Sequence, residues 1–352
     1  MRFSLSRGRR TSVGLDIGSS LVKIVEIDHS HSTPALVRLG IVPLPPEAIV
    51  DGEIMDRLLV LDAVRECVAI AGIRSKDVVT AVSGRALIVK RVTMDKMNHE
   101  DAQEAIHWEA EQHVPFDIDD VCLDFQILKE TVGNNQMQVL LVAAKKDMIN
   151  QHADLVRDAD LHPVGIDSDS FAVQNCYEQN YDPEPGKVVG LLNIGSEVTN
   201  LNIVQDGAPQ FTRDLAIGRS RFVEETQREL NLGQEEASRL LAAAIAAGNS
   251  EDKPLREVVR RTAEELSLGI ERSFAFLRGS GDAERLDALM LSGGGAGMPL
   301  LREFLAERHN VPVHVTDPLR QLSYDAELFK QPVQEVAPLL AVGVGLGLRR
   351  ME

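Results

Sequence analysis

The 352-residue chain is 44% hydrophobic and 26% charged, a composition that excludes a disordered protein and is long enough for two domains with their own cores. Its formal net charge of -17 argues against unspecific grip on nucleic acid or anionic lipid, since that affinity comes from Lys and Arg neutralising phosphates. Cys67, Cys122 and Cys176 lack the spacing of a disulfide framework or a zinc site, and no apolar run reaches the ~20 residues of a membrane span.

In chain order, residues 1–11 carry four arginines with Phe3 and Leu5 but no apolar stretch of a signal peptide, which predicts a flexible basic leader. Two strand-like runs then flank Gly18-Ser19-Ser20, with Asp16 at the lip of the turn. Gly18 is expected to take a positive φ, aiming successive N–H groups at an anion. Asp16 would stand about one water layer from a polyphosphate, holding Mg²⁺. On these residues alone, a phosphate hairpin and a plain turn are equally supported.

A strand over 37–42 is followed by a helix with Leu58, Leu61, Val64, Val68 and Ala71 on one stripe and Gly72 as its stop, then a strand over 78–82. From 87 to 163 the pattern changes. A helix marked by Ala102, Ala105, Ile106 and Ala110 closes at Pro115, strands over 121–128 and 137–144 surround Gly133-Asn134-Asn135, and Met148, His152, Leu155, Val156 and Ala159 mark a second helix. Trp108 and Phe116 read as core of this module or the edge of a partner groove, because no basic patch accompanies them for base stacking.

About half the chain after Asp16-Ile17-Gly18-Ser19, the tetrapeptide returns as Asn193-Ile194-Gly195-Ser196 between strand-like runs over 188–192 and 198–204. The chain therefore reads as two related halves. A helix with Ala237, Leu240, Leu241, Ala244 and Ile245 facing inward, and a longer one with Val259, Ala263, Leu266, Ile270, Phe274 and Leu277 at helical spacing, suggest a helical insertion. A buried-type strand over 286–291 then runs into Gly293-Gly294-Gly295 before a helix. Three glycines let a flat or anionic ligand approach unpaired N–H groups at a helix N-terminus, the bland alternative being a tight strand-to-helix turn.

Two hairpins and a triple-glycine turn in this order resemble the phosphate-1, phosphate-2 and adenosine motifs of the actin, Hsp70 and sugar-kinase ATPases. The stretches 13–23, Ala105-Ile106-His107-Trp108-Glu109-Ala110-Glu111-Gln112-His113-Val114-Pro115-Phe116 and Ala341-Val342-Gly343-Val344-Gly345-Leu346-Gly347-Leu348 are similar to the PilM family of actin-like, FtsA-like cytoplasmic type IV pilus assembly proteins. The resemblance runs from about 12 to 350. It implies an α/β, two-lobed actin/Hsp70-like ATPase fold with an FtsA-like 1C subdomain. Subdomain 1A would be 12–86 plus 164–187 plus 331–352, 1C would be 87–163, 2A would be 188–220 plus 282–330, and the helical 2B would be 221–281, with 341–348 as a hinge helix crossing between lobes.

The resemblance further implies ATP and Mg as cofactors. Asp16 would hold the hydrated metal. Gly18, Ser19, Ser20 and Lys23 from one lobe, and Asn193, Gly195, Ser196 and Thr199 from the other, would hold the phosphates, with Gly293, Gly294 and Gly295 beneath the adenosine. Asp169 would be the acid that orients an attacking water. The function so implied is an ATP-binding scaffold at the cytoplasmic face of the type IV pilus machine of twitching motility. Its partners would be the cytoplasmic N-terminal tail of PilN, other pilus-machine proteins and further copies of itself, with no nucleic acid and with the membrane reached only through partners. The alternatives are an ATP-hydrolysing actin-like ATPase and a nucleotide-independent structural adaptor.

Two positions depart from that pattern. Relatives carry an acid where this chain has Asn193, and a Glu-x-x-Lys pair where it has Ser238 and Leu241. Losing a charge-assisted contact costs ~1.5–3 kcal/mol, one to two decades of affinity, so binding can persist where turnover becomes weak or absent.

Overall fold

The computed structural model describes residues 11–349 except 51, 133–134, 248–251, 280–282, 284 and 299. The leader through 10, the Gly133-Asn134 turn and the last three residues lie outside the described residues.

The first hairpin pairs β1 (Thr11–Ile17) with β2 (Leu21–Asp28), setting Leu15 opposite Ile24 and Asp16 opposite Lys23. Val13, Leu15, Val22 and Ile24 enter one apolar cluster while Val25 and Ile27 enter another. These strands are apolar on both faces because the sheet is covered on both sides. β3 (Ala35–Pro43) extends the sheet antiparallel to β2, and a small ribbon of β4 (Ile49–Val50) and β5 (Glu53–Ile54) leads to α1 (Arg57–Ala71). The Asp56 side chain accepts the Leu59 N–H at the start of α1, and Gly72 ends it at φ 64°, the left-handed stop that glycine takes without strain. α1 buries Val60, Leu61, Val64, Cys67 and Ala71, whereas Leu58 is 71% exposed. The expected stripe is thus rotated, since a run of four apolar residues from 58 to 61 leaves the facing side to tertiary packing.

β6 (Asp77–Val82) lies parallel to β1. A separate antiparallel unit follows: β7 (Leu87–Asp95), α2 (His99–His113), β8 (Val121–Val132) and β9 (Gln136–Lys145), in strand order β7-β9-β8. It has its own core, including Val92, Ile106, Ala110, Met137 and Leu141. Trp108 is 72% exposed on α2, so the core reading of that residue is corrected: it lies on the helix face opposite Ile106 and Ala110. α3 (Lys146–Asp158) follows in sequence but packs Leu155 and Val156 into the cluster of β1 and α1. β10 (His162–Ser168) then pairs parallel with β6 and runs into α4 (Asp169–Asn180).

The second half repeats this plan with β11 (Val188–Ile194), β12 (Thr199–Gln205) and β13 (Ala208–Leu215). Three helices, α5 (Arg219–Leu230), α6 (Gln234–Ala247) and α7 (Lys253–Gly279), precede β14 (Ala288–Ser292), α8 (Leu301–His309) and β15 (Val313–Val315). The order β13-β12-β11-β14-β15 reproduces β3-β2-β1-β6-β10, with the same parallel and antiparallel senses. α7 buries Val259, Ala263, Leu266, Ile270, Phe274 and Leu277 against the second sheet. The chain then crosses back: β16 (Ser323–Tyr324) joins the edge of β3 in the first sheet, followed by α9 (Val333–Val336) and α10 (Ala341–Leu348). None of the helices among the described residues is long and apolar enough to cross a membrane.

α10 brings the two halves together. A Cβ on Gly14 would overlap the Gly343 carbonyl, and one on Gly345 would overlap the Ala172 carbonyl of α4. The helix therefore lies backbone to backbone between β1 and α4. One apolar cluster unites Val25, Ile27, Ala172, Val344 and Leu346 with Leu191 and Met290 of the second sheet. Gly345→Ala is expected to cost about 3 kcal/mol or more, because a methyl forced against a backbone carbonyl has no rotamer in which to escape. A urea-unfolding midpoint equal to that of the parent would contradict this packing.

Candidate functional site

Duplicated strands place the two hairpins as counterparts, and their chemistry differs at equivalent register. Asp16 pairs with Lys23 across the first hairpin, Nζ lying 2.6 Å from Oδ2, and both groups are largely shielded from solvent. Asn193 pairs with Asn200 across the second, its Nδ2 donating to Asn200 Oδ1 at 3.1 Å. An ion pair in one jaw is thus an amide pair in the other.

The hairpin tips differ from expectation in detail. Gly18 is absent from the residues with positive φ; it donates its N–H to the Leu21 carbonyl, so an ordinary closed turn replaces the expected left-handed one. Gly195 likewise donates to Val198, and Thr199, fully buried, donates its hydroxyl to the Ile217 carbonyl at 2.6 Å. The Thr199 hydroxyl is therefore committed to holding the chain entering α5, not turned to a phosphate. Ser19, Ser20 and Ser196 have hydroxyls without a hydrogen-bond partner among the described residues, which leaves them as the polar groups the tips can offer.

Gly293 and Gly295 depart from expectation as well. Their N–H groups donate to Pro338 and Ile194, and α8 starts only at Leu301, after Leu300 in a left-handed conformation. The Gly293 and Gly295 N–H groups are thus paired within the fold and are not those of the α8 N-terminus. Gly293 has φ 83°, and Cβ atoms on Gly293 and Gly295 would strike Ile194. The glycines let this turn lie directly on the second hairpin, while Gly294 meets only Leu339 at 3.4 Å. Leu241 is buried in the second-lobe core, so it reaches no ligand.

Asp169 opens α4 beyond the Ser168 cap. Burial pushes its carboxyl up to about 7, the negative field of Asp16 adds to this, a Ser83 hydrogen bond draws it back, and Asp214 raises it again before Lys23 lowers it. The structure thus gathers Asp16, Lys23 and Asp169 from the first lobe with Asp214 from the second. The sequence reading missed Asp214. It sits at the end of β13 in Thr212-Arg213-Asp214-Leu215, where no motif spacing marks it. No group of three or more His, Cys, Asp or Glu among the described residues could hold a metal directly.

Compared with known proteins, residues 14–351 match the family described as type IV pilus assembly protein PilM. A solved chain of a PilM-PilN type IV pilus biogenesis complex is 30% identical, with TM-score 0.85, covering 97% of this chain and 98% of that one. Ethanolamine utilization protein EutJ from Carboxydothermus hydrogenoformans is 16% identical with TM-score 0.56, over 97% of this chain and 90% of its own. MreB5 of Spiroplasma citri bound to ADP is 12% identical with TM-score 0.52, over 96% and 94%. The last two share the fold, a two-lobed actin-like architecture.

The raised Asp169 carboxyl has a stability consequence. The folded chain keeps a proton up to about pH 7 that the unfolded chain releases near 3.8, so this group's contribution is full below 3.8 and is lost as pH rises to 7. Asp169→Asn is expected to stabilise the protein by on the order of 2 kcal/mol at pH 8 and by less at pH 5. Denaturant titrations at both pH values check the sign; an equal or smaller gain at pH 8 contradicts it.

Proposed function

The chain belongs to the type IV pilus assembly protein PilM family, and from that membership we propose that it is an ATP-binding, actin-like scaffold at the cytoplasmic face of the pilus machine, binding the cytoplasmic N-terminal tail of PilN. The observation that carries the nucleotide part is the pair of hairpins in equivalent positions of two duplicated sheets, with the Gly293 to Gly295 turn seated on the second. Ser19, Ser20 and Ser196 would meet the phosphates. Asp16 would hold Mg²⁺ through water, with Lys23 countering charge beside it. The metal's chemistry there is neutralisation of phosphate charge. Gly18, Gly195 and Thr199 support the tips, and Gly294 is the glycine of the turn with most open space for an adenosine.

Asn193 and Asn200 furnish amides where a second acid would help activate water, and this supports nucleotide state, more than turnover, as the property that sets the cleft angle. A groove of about 590 Å³, lined by Gln126 and Leu140 of the β7–β9 unit, Phe171 and Gln174 of α4, and Arg349, falls within the usual 300–1,000 Å³ of ligand clefts, roughly speaking. We assign it to the partner tail. Attachment to the membrane through PilN, and contacts with other pilus proteins or with further copies of this chain, complete the reading.

Calorimetry with Mg-ATP is expected to give saturable binding that Asp16→Ala weakens by about one to two decades. Absence of heat and of any thermal shift up to millimolar ATP rejects the nucleotide part, and phosphate release abolished by Asp16→Ala favours the hydrolysing alternative. A synthetic PilN tail is expected to bind, and Phe171→Ala to weaken that binding by roughly tenfold, as loss of an aromatic anchor does, with Mg-ATP binding retained. Tail binding untouched by Phe171→Ala removes the groove assignment. Tail affinity unchanged by ATP marks the nucleotide-independent adaptor.

A further inference from the structure

Ser83 and Gly84 follow β6 and touch two carboxylates that belong to different lobes. Ser83 lies near enough to Asp169 of the first lobe to lower its raised carboxyl. The Gly84 N–H donates across to Asp214 Oδ2 of β13 in the second lobe at 2.8 Å. Gly84 holds φ 111°, a backbone that a residue with a side chain rarely adopts. Asp214 is in turn held from its own lobe, because Asn200 Nδ2 donates to its Oδ1 at 2.8 Å. Asn200 is fixed by the amide of Asn193. Both carboxylate oxygens are therefore spoken for, one by each lobe.

Other polar links between the lobes include the Arg91–Gln210 hydrogen bond from β7 to β13, the Gly293 N–H donated to the Pro338 carbonyl, and a group of bonds on α4. Asn202 Nδ2 donates to the Ser170 carbonyl and to Gln174 Oε1, and Gln174 Nε2 donates to the Gly207 carbonyl. Those bonds lie along the shared core, where a hinge would leave them intact. The Gly84–Asp214 bond stands apart from α4, beside the Asp16, Lys23 and Asp169 group of the cleft.

We propose that Asp214 is an interlobe latch: its charge-assisted bond to the Gly84 N–H holds the cleft closed, and Asn200 positions its carboxylate to do so. A hydrogen bond to a charged acceptor is stronger than a neutral one, and a single such bond at the moving edge is enough to bias two states that differ by a few kcal/mol. The latch rests on contacts between the lobes and not on nucleotide, so it is measured without nucleotide.

Spin labels on cysteines at Glu66 of α1 and Glu307 of α8, both exposed, in a Cys122→Ser background report the interlobe distance in the full chain. Asp214→Ala is expected to lengthen and broaden the distance distribution. Asp214→Asn keeps one acceptor but opposes an amide to the Asn200 donor, and is expected to give a smaller shift in the same direction. Arg91→Ala removes a different contact between the lobes, the Arg91–Gln210 hydrogen bond, and is expected to leave the distribution as in the parent. Circular dichroism confirms folding of each variant. A folded Asp214→Ala protein with the parental distribution overturns the latch, as does an equal shift in Arg91→Ala; should Asp214→Ala fail to fold, an unshifted Asp214→Asn distribution overturns it.

Discussion

Helix α10 lies against β1 and α4 with almost no side chain between the backbones, since a Cβ on Gly14 would overlap the Gly343 carbonyl of α10 and one on Gly345 would overlap the Ala172 carbonyl of α4. Close backbone approach of this kind packs densely but leaves no slack. It ties the first sheet to α4, and α4 in turn faces the second sheet through Asn202 and the cluster of Leu191, Val204 and Met290. The hairpins are carried by β1 and β2 on one side and β11 and β12 on the other, so their separation is governed by how these layers sit across α4 and α10.

On that frame the two jaws are chemically unequal. Asp16 with Lys23, and Asn193 with Asn200, occupy the same register of duplicated hairpins. The first pair places opposite charges together out of solvent, where an unpaired carboxylate would be costly. The second needs no such compensation, because amides hydrogen-bond without net charge. The carboxylate of the second lobe is instead Asp214, one strand further along and bonded through Asn200 to the hairpin. Burial and Asp16 raise the Asp169 carboxyl, and Asp214 adds to that rise. The concentration of acids thus crosses from one lobe to the other, which favours a positive charge between them.

The β7–β9 unit has its own apolar core, yet it is tied to both lobes: α3 continues from β9 into the cluster of β1 and α1, while Arg91 of β7 donates to Gln210 of β13. The groove lined by Gln126, Phe171 and Arg349 lies where this unit meets α4 and the end of α10. A peptide seated there would lie against α4 and the end of α10, the elements packed between the two sheets.

The elements and the repeat were legible from the residues alone. The hairpin at Gly18 to Ser20, its echo at Gly195, and the long stripe of α7 were legible because alternation and helical spacing are local signals. The Gly72 stop was legible for the same reason. Resemblance along the whole chain supplied the family and the two-lobed fold. The tertiary structure alone decided the rest. It turned α1 so that Leu58 faces solvent and placed Trp108 outside the module's core, since which face of an apolar-rich helix is covered depends on what packs against it. It committed the Thr199 hydroxyl and the N–H groups of Gly293 and Gly295 to intramolecular bonds. It also brought Asp214 to Gly84, residues distant in sequence with no spacing rule between them. Hydrogen-bond partners and carboxylate neighbours are properties of the assembled layers, and one-dimensional periodicity carries no record of them.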